Sequence, residues 1–111
     1  MRSLFIDPGL LRTELALEAS MPQGDGLGGY QETWTEVATV FARIEPAEAR
    51  SVFGAGQSLE TVTHRVTIRH RDGITSGMRF TKSGRIFDIL TIHDPDETQR
   101  YLVCRVREAG A

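Results

Sequence analysis

Cysteine and lysine are nearly absent from this chain, which has one of each among 111 residues. Cys104 alone cannot make an internal disulfide, so the fold must rest on an apolar core, and a single thiol fits a reducing interior. The one lysine, Lys82, stands in "TKSGR" and follows no glycine loop, which removes support for a Walker-type phosphate site. No apolar run reaches the roughly 18 residues that a membrane-crossing helix needs. The N-terminus "MRSLFIDPGLLRTELALEAS" lacks the continuous apolar stretch of a secretory signal, so nothing argues for export. A basic excess is missing too: the formal charge is −2, against the strong positive balance of a dedicated DNA-binding domain.

What is present is arginine. Twelve of the thirteen basic residues are arginine, whose flat fork of donors suits carboxylates at protein interfaces as well as phosphates. With 40% hydrophobic residues, the length is that of one domain with a real core. Alternation is the dominant pattern. From Trp34 to Pro46, Trp34, Ala38, Val40, Ala42 and Ile44 face one way and Thr35, Thr39 and Arg43 the other, with Val37 and Phe41 making the second side partly apolar. From Glu60 to Arg71, Val62, His64, Val66, Ile68 and His70 oppose a face of threonine and arginine. "RDG" marks a turn, "MRFTKSGRIFDILTIHD" reads as a hairpin turning at Lys82 to Gly84, and "RYLVCRVRE" is a last strand after the loop Asp94 to Gln99.

Two segments resist. Thr13 to Ser20 alternates, yet its composition favours helix by local propensity. Ala47 to Ser58 has no clear period and separates two long strands, and long excursions from compact domains often carry function. The expected fold is all-β: a small barrel or sandwich of about five to six mainly antiparallel strands with one long excursion loop. Its expected core is Trp34, Val40, Ile44, Val62, Val66, Ile68, Phe80, Ile89, Leu90 and Leu102.

Chemistry-bearing groups are few. "GDGLGG", Gly24 to Gly29, spells G-x-G-x-x-G, but the segment after it is rich in Thr, Val and aromatics and reads as strand, so a turning connector fits better than a dinucleotide cradle. His64 and His70 lie about 20 Å apart on one strand, too far to share a metal ion. His93, Asp94 and Asp96 could converge on a metal, though "IHDPD" reads first as a solvated turn, and Cys104 as a buried thiol. No catalytic set stands out and no cofactor is expected. Arg65, Arg69 and Arg71 form a stripe, with Arg79 a candidate neighbour on a paired strand; the sequence shows no exposed aromatics interleaved with it.

In order and spacing, "GDGLGG" with Trp34, the "A-x-I-x-P" of Ala42, Ile44 and Pro46, Val66 to Arg71, "MRF" at Met78 to Phe80, Gly84 to Ile89 and the closing "YL" resemble the phage head-tail joining family, the head-closure or stopper proteins of tailed-phage necks. The resemblance spans about Leu11 to Glu108. It implies that "LRTELALEAS" is the first strand of a small β-barrel and "GDGLGG" the connector to the second. It leaves 1–10 as an N-terminal extension to which it assigns no role and 11–111 as a single β-barrel head-tail joining domain.

The resemblance further implies a non-enzymatic part of the neck of a virion or phage-like particle, a phage or a gene transfer agent, assembled in the bacterial cytoplasm. Its partners would be itself in a ring, six copies favoured over twelve, a head adaptor or portal on one side and a tail terminator on the other. It would have only transient, non-specific proximity to packaged DNA and no membrane contact. Arg65, Arg69 and Arg71 are expected on one side of the intersubunit contact and Asp94, Asp96 and Glu97 on the other. Ser51, Val52, Phe53, Gly54, Ala55, Gly56 and Gln57 are the candidate channel-gating or tail-docking loop. The rival with the same fold is an oligonucleotide-binding barrel; a metal-dependent hydrolase is the weakest reading.

Overall fold

Alternation becomes a closed sheet. A computed structural model describes residues 6–24, 26–47 and 61–110. They form a 3-10 turn, Pro8–Leu10, and six strands: β1 (Thr13–Gly24), β2 (Tyr30–Pro46), β3 (His64–Arg69), β4 (Arg79–Lys82), β5 (Arg85–His93) and β6 (Tyr101–Glu108). All neighbours are antiparallel and the barrel closes in the order β1-β2-β3-β6-β5-β4. The closing ladder, β1 to β4, has only three pairs: Ala16 with Thr81, Leu17 with Phe80 and Glu18 with Arg79.

The helical preference of Thr13 to Ser20 loses to burial. Leu15 and Leu17 are fully buried inside the barrel, opposite Val40 and Ala38. At about 100° per residue a helix would have turned them to nearly opposite sides, whereas a strand turns both inward. With Ala42, Val66, Ile68, Met78, Phe80, Phe87, Ile89, Leu102, Cys104 and Val106 they make one core. Burial of each large side chain there contributes about 1.5–3 kcal/mol.

Four expected core residues are only partly buried, and two of these have a common cause. The β1–β2 register shifts between Leu17 and Glu18, so Leu17 meets Ala38 while Glu18 meets Glu36, and Val37 is the extra residue. Beyond that bulge, parity reverses. Trp34, which shares even numbering with buried Val40, therefore sits opposite Ser20 on the outer face. Leu90 is the extra residue of a second shift, between Ile89 and Thr91 on β5. Val62 precedes β3 and is half-buried, and Ile44 packs at the margin of the core.

Past the barrel, β1 and β2 continue as a two-stranded arm, from Glu18 with Glu36 to Gly24 with Tyr30. Gly26 and Gly28, at φ 80° and 84°, lie in the turn at its tip, a conformation that a side chain would strain. The G-x-G-x-x-G is thus a hairpin tip with strands on both sides. At the opposite hairpin, Ser83 and Gly84 both have positive φ, the turn expected between β4 and β5.

Candidate functional site

Strand β3 places Arg65 and Arg69 outward, because Val66 and Ile68 take the inward positions. Arg65 forks onto Glu45 of the paired strand, Nε to Oε1 at 3.3 Å and Nη2 to Oε2 at 3.1 Å, and Arg43 Nη2 reaches the same carboxylate at 3.6 Å. Arg105 stands opposite Arg65 on β6. Between these arginines a shallow groove of about 230 Å³ has Thr67 and Val103 in its lining. Arg69 and Arg105 have no ion pair among the described residues.

Arg71 and His70 lie past the end of β3, so neither belongs to the strand face expected from alternation. Arg71 is half-buried, and its Nε is a buried donor with no hydrogen-bond partner. Arg69, His70 and Arg71 share a groove of about 430 Å³ with Phe41, which is 56% exposed. That corrects the expectation of no exposed aromatic near the stripe: Ala42 pairs with Ile68, which brings outward-facing Phe41 to the Arg69 end. Arg79, a candidate member of the stripe, stands elsewhere. It donates from Nε to Glu18 Oε1 at 2.7 Å and lies over the Trp34 ring, 4.0 Å from its centre, at the base of the arm.

Two acids of the loop before β6, Asp96 and Asp94, are bonded within their own loop. Asp96, with a side chain only 3% exposed, accepts from Thr98 Oγ1 at 2.6 Å and from Arg100 Nη2 at 2.8 Å. Those bonds, the threonine's foremost, lower its carboxyl to about 2. Asp94 Oδ2 accepts from Gln99 N at 2.7 Å, and its Oδ1 is buried without a partner. Glu97 is exposed, at φ 59°. Among the described residues no three of His, Cys, Asp and Glu gather as metal ligands; His93 is exposed.

His64 packs edge-on against Phe87, ring centres 5.4 Å apart. Cys104 is fully enclosed, and burial pushes its thiol up to about 12, the opposite of an activated nucleophile. The loop Ser51 to Gln57 lies outside the described residues; its flanks meet where Ala47 N donates to Thr63 O at 2.9 Å. The surface that sequence reading missed is the arm, with Met21, Tyr30 and Val37 exposed. The length of β2 beyond its partners is the signal that could have found it.

The family model described as phage head completion protein matches residues 6–109. A chain in the virion of a native gene transfer agent particle is similar with a TM-score of 0.68 and 26% identity, over 91% of this chain and 97% of that one. Protein SF1141 from Shigella flexneri 2a is similar with a TM-score of 0.70 and 25% identity, over 95% of this chain and 98% of that one. No curated protein sequence matches the chain.

Proposed function

Because the chain belongs to the phage head completion protein family, we propose that it forms a ring between the portal or its adaptor and the tail, closes the filled head and offers the tail its docking surface. The carrying observation is the family match over 6–109, which takes in the whole barrel and the arm. A ring contact is heterologous, so each copy must present two different patches. The outward arginines Arg65 and Arg69, with Arg71 beside them, suit one patch, and Glu97 is the exposed acid of the expected opposing loop. Six copies fit a sixfold tail. No chemistry is asked of the chain: its thiol is enclosed, and its role is structural.

Removing the gene tests the reading. Particles should package DNA yet lose it or remain tailless; particles that attach tails and retain DNA normally count against it. Deleting Ser51 to Gln57 then separates two uses of that loop. A gating loop yields particles that attach tails but leak DNA beforehand, a docking loop yields full, stable, tailless heads, and normal particles refute both.

One observation favours a second reading, an oligonucleotide-binding barrel: exposed Phe41 beside Arg69 and Arg71 combines a stacking ring with cations. Titration with labelled single-stranded DNA separates the two. Tight binding that falls steeply with salt supports this reading; weak binding at all salt concentrations supports the ring.

A further inference from the structure

From Thr13 to Ala42 the chain contains no lysine or arginine, while Glu14, Glu18, Glu32 and Glu36 fall in β1 and β2. Register places all four on one face. Glu14 pairs with outward Phe41, Glu18 with Glu36, and Glu32 with Pro22 on the side that carries Ser20 and Trp34. The barrel exterior thus runs on into the arm as an acidic strip, with Tyr30, 81% exposed, near its tip.

This strip is incomplete as it stands. Glu18 and Glu36 are directly opposed across the ladder, an arrangement that destabilises a sheet unless a cation intervenes. Arg79 serves Glu18 at 2.7 Å; Glu36 has no ionic partner among the described residues. No third strand extends the arm's sheet: β3 joins β2 only from Ala42 onward, and β4 joins β1 only up to Glu18. Two-stranded hairpins are marginal in water without a surface to lie on.

The same chain carries the complement. Arg43, Arg65, Arg69 and Arg105 share the outer face of β2, β3 and β6 with a single intervening acid, Glu45. No ion pair joins this face to the arm within one copy, among the described residues. The 94–97 loop is the poorer acidic partner, since Asp96 is already bound to Arg100. We propose that the acidic arm of one copy lies on the arginine face of the next copy, so that arm and face are the two patches of a head-to-tail contact. This rests on the ring reading and specifies which surfaces meet in it.

The test uses two charge-reversed forms of the full chain: Glu32→Arg with Glu36→Arg on the arm, and Arg69→Glu with Arg105→Glu on the face. Self-association is followed by sedimentation at high protein concentration and low salt. Each variant alone should associate about a hundredfold more weakly than wild type, because like charges then meet. An equimolar mixture should regain assembly, because each arm then faces the opposite charge. Should a reversed variant fail to fold, Glu32→Cys and Arg69→Cys chains mixed under mild oxidation should form the mixed covalent dimer, with buried Cys104 silent. Wild type that stays monomeric overturns the ring reading and this inference together. Wild-type assembly with undisturbed variants, or with no gain on mixing, overturns this inference alone.

Discussion

Barrel and arm are built from the same two strands, yet they obey different rules. In the barrel, the inward side chains of β1 and β2 join one core to which all six strands contribute, and Leu15 and Leu17 have no exposure at all. In the arm, the face that continues the barrel's interior reaches open solvent at Met21, 54% exposed, where Thr33 Oγ1 donates across the ladder to Met21 O at 2.6 Å. The difference teaches that burial and exposure are separated along one hairpin. What the proximal half buries in its own molecule, the distal half leaves open to solvent.

The sharpest way to break that contrast is to delete equivalent apolar bulk in each region. Phe80→Ala, at a fully buried site, should lower stability by about 3–5 kcal/mol in urea unfolding, whereas Met21→Ala should stay within about 0.5 kcal/mol. Equal losses would show that the arm is part of the core. A smaller effect is expected at the joint. Arg79→Met keeps the stem but removes the bond to Glu18 and the cation over Trp34, and leaves Glu18 and Glu36 opposed. It should weaken the arm by about 1–2 kcal/mol, read as faster hydrogen exchange at Ser20 to Gln23 with β5 and β6 unchanged.

Smallest is the acid response of the barrel's own loop. Asp96 is held at about 2 in the folded chain, below the roughly 3.9 of an unfolded aspartate. Its contribution is therefore complete above about pH 4 and is lost as pH falls toward 2. Asp96→Asn should flatten the pH dependence of stability in that window, read by urea unfolding at each pH.

The barrel was largely legible because its strands alternate and its turns carry glycine at the required places, as at Gly84. The misplacements of Trp34 and Leu90 share a cause that no local pattern exposes. A bulge adds one residue, and parity counted through Val37 or Leu90 comes out reversed. Helical propensity misread Thr13 to Ser20 because the walls that receive Leu15 and Leu17 are distant in sequence. At the candidate site, Arg65 and Arg69 pointed outward as alternation required, whereas the inward turn of Asp96 depends on Thr98 and Arg100 folding back over it. Arg79 left the arginine stripe because β4 pairs with β1 and not with β3. The arm was hidden for the same reason: where a strand outlives its neighbours is decided by the neighbours.

The three-pair ladder between β1 and β4 has a consequence for how the molecule comes apart. Every other ladder in the cylinder is longer, so this seam holds the least hydrogen bonding to be undone in parting two strands. Opening there releases the arm's root and unrolls the cylinder into a sheet still joined from β1 through β3 and β6 to β4. Sub-global unfolding thus has a built-in first step, and Phe80 opposite Leu17 is the apolar clasp that keeps the roll shut.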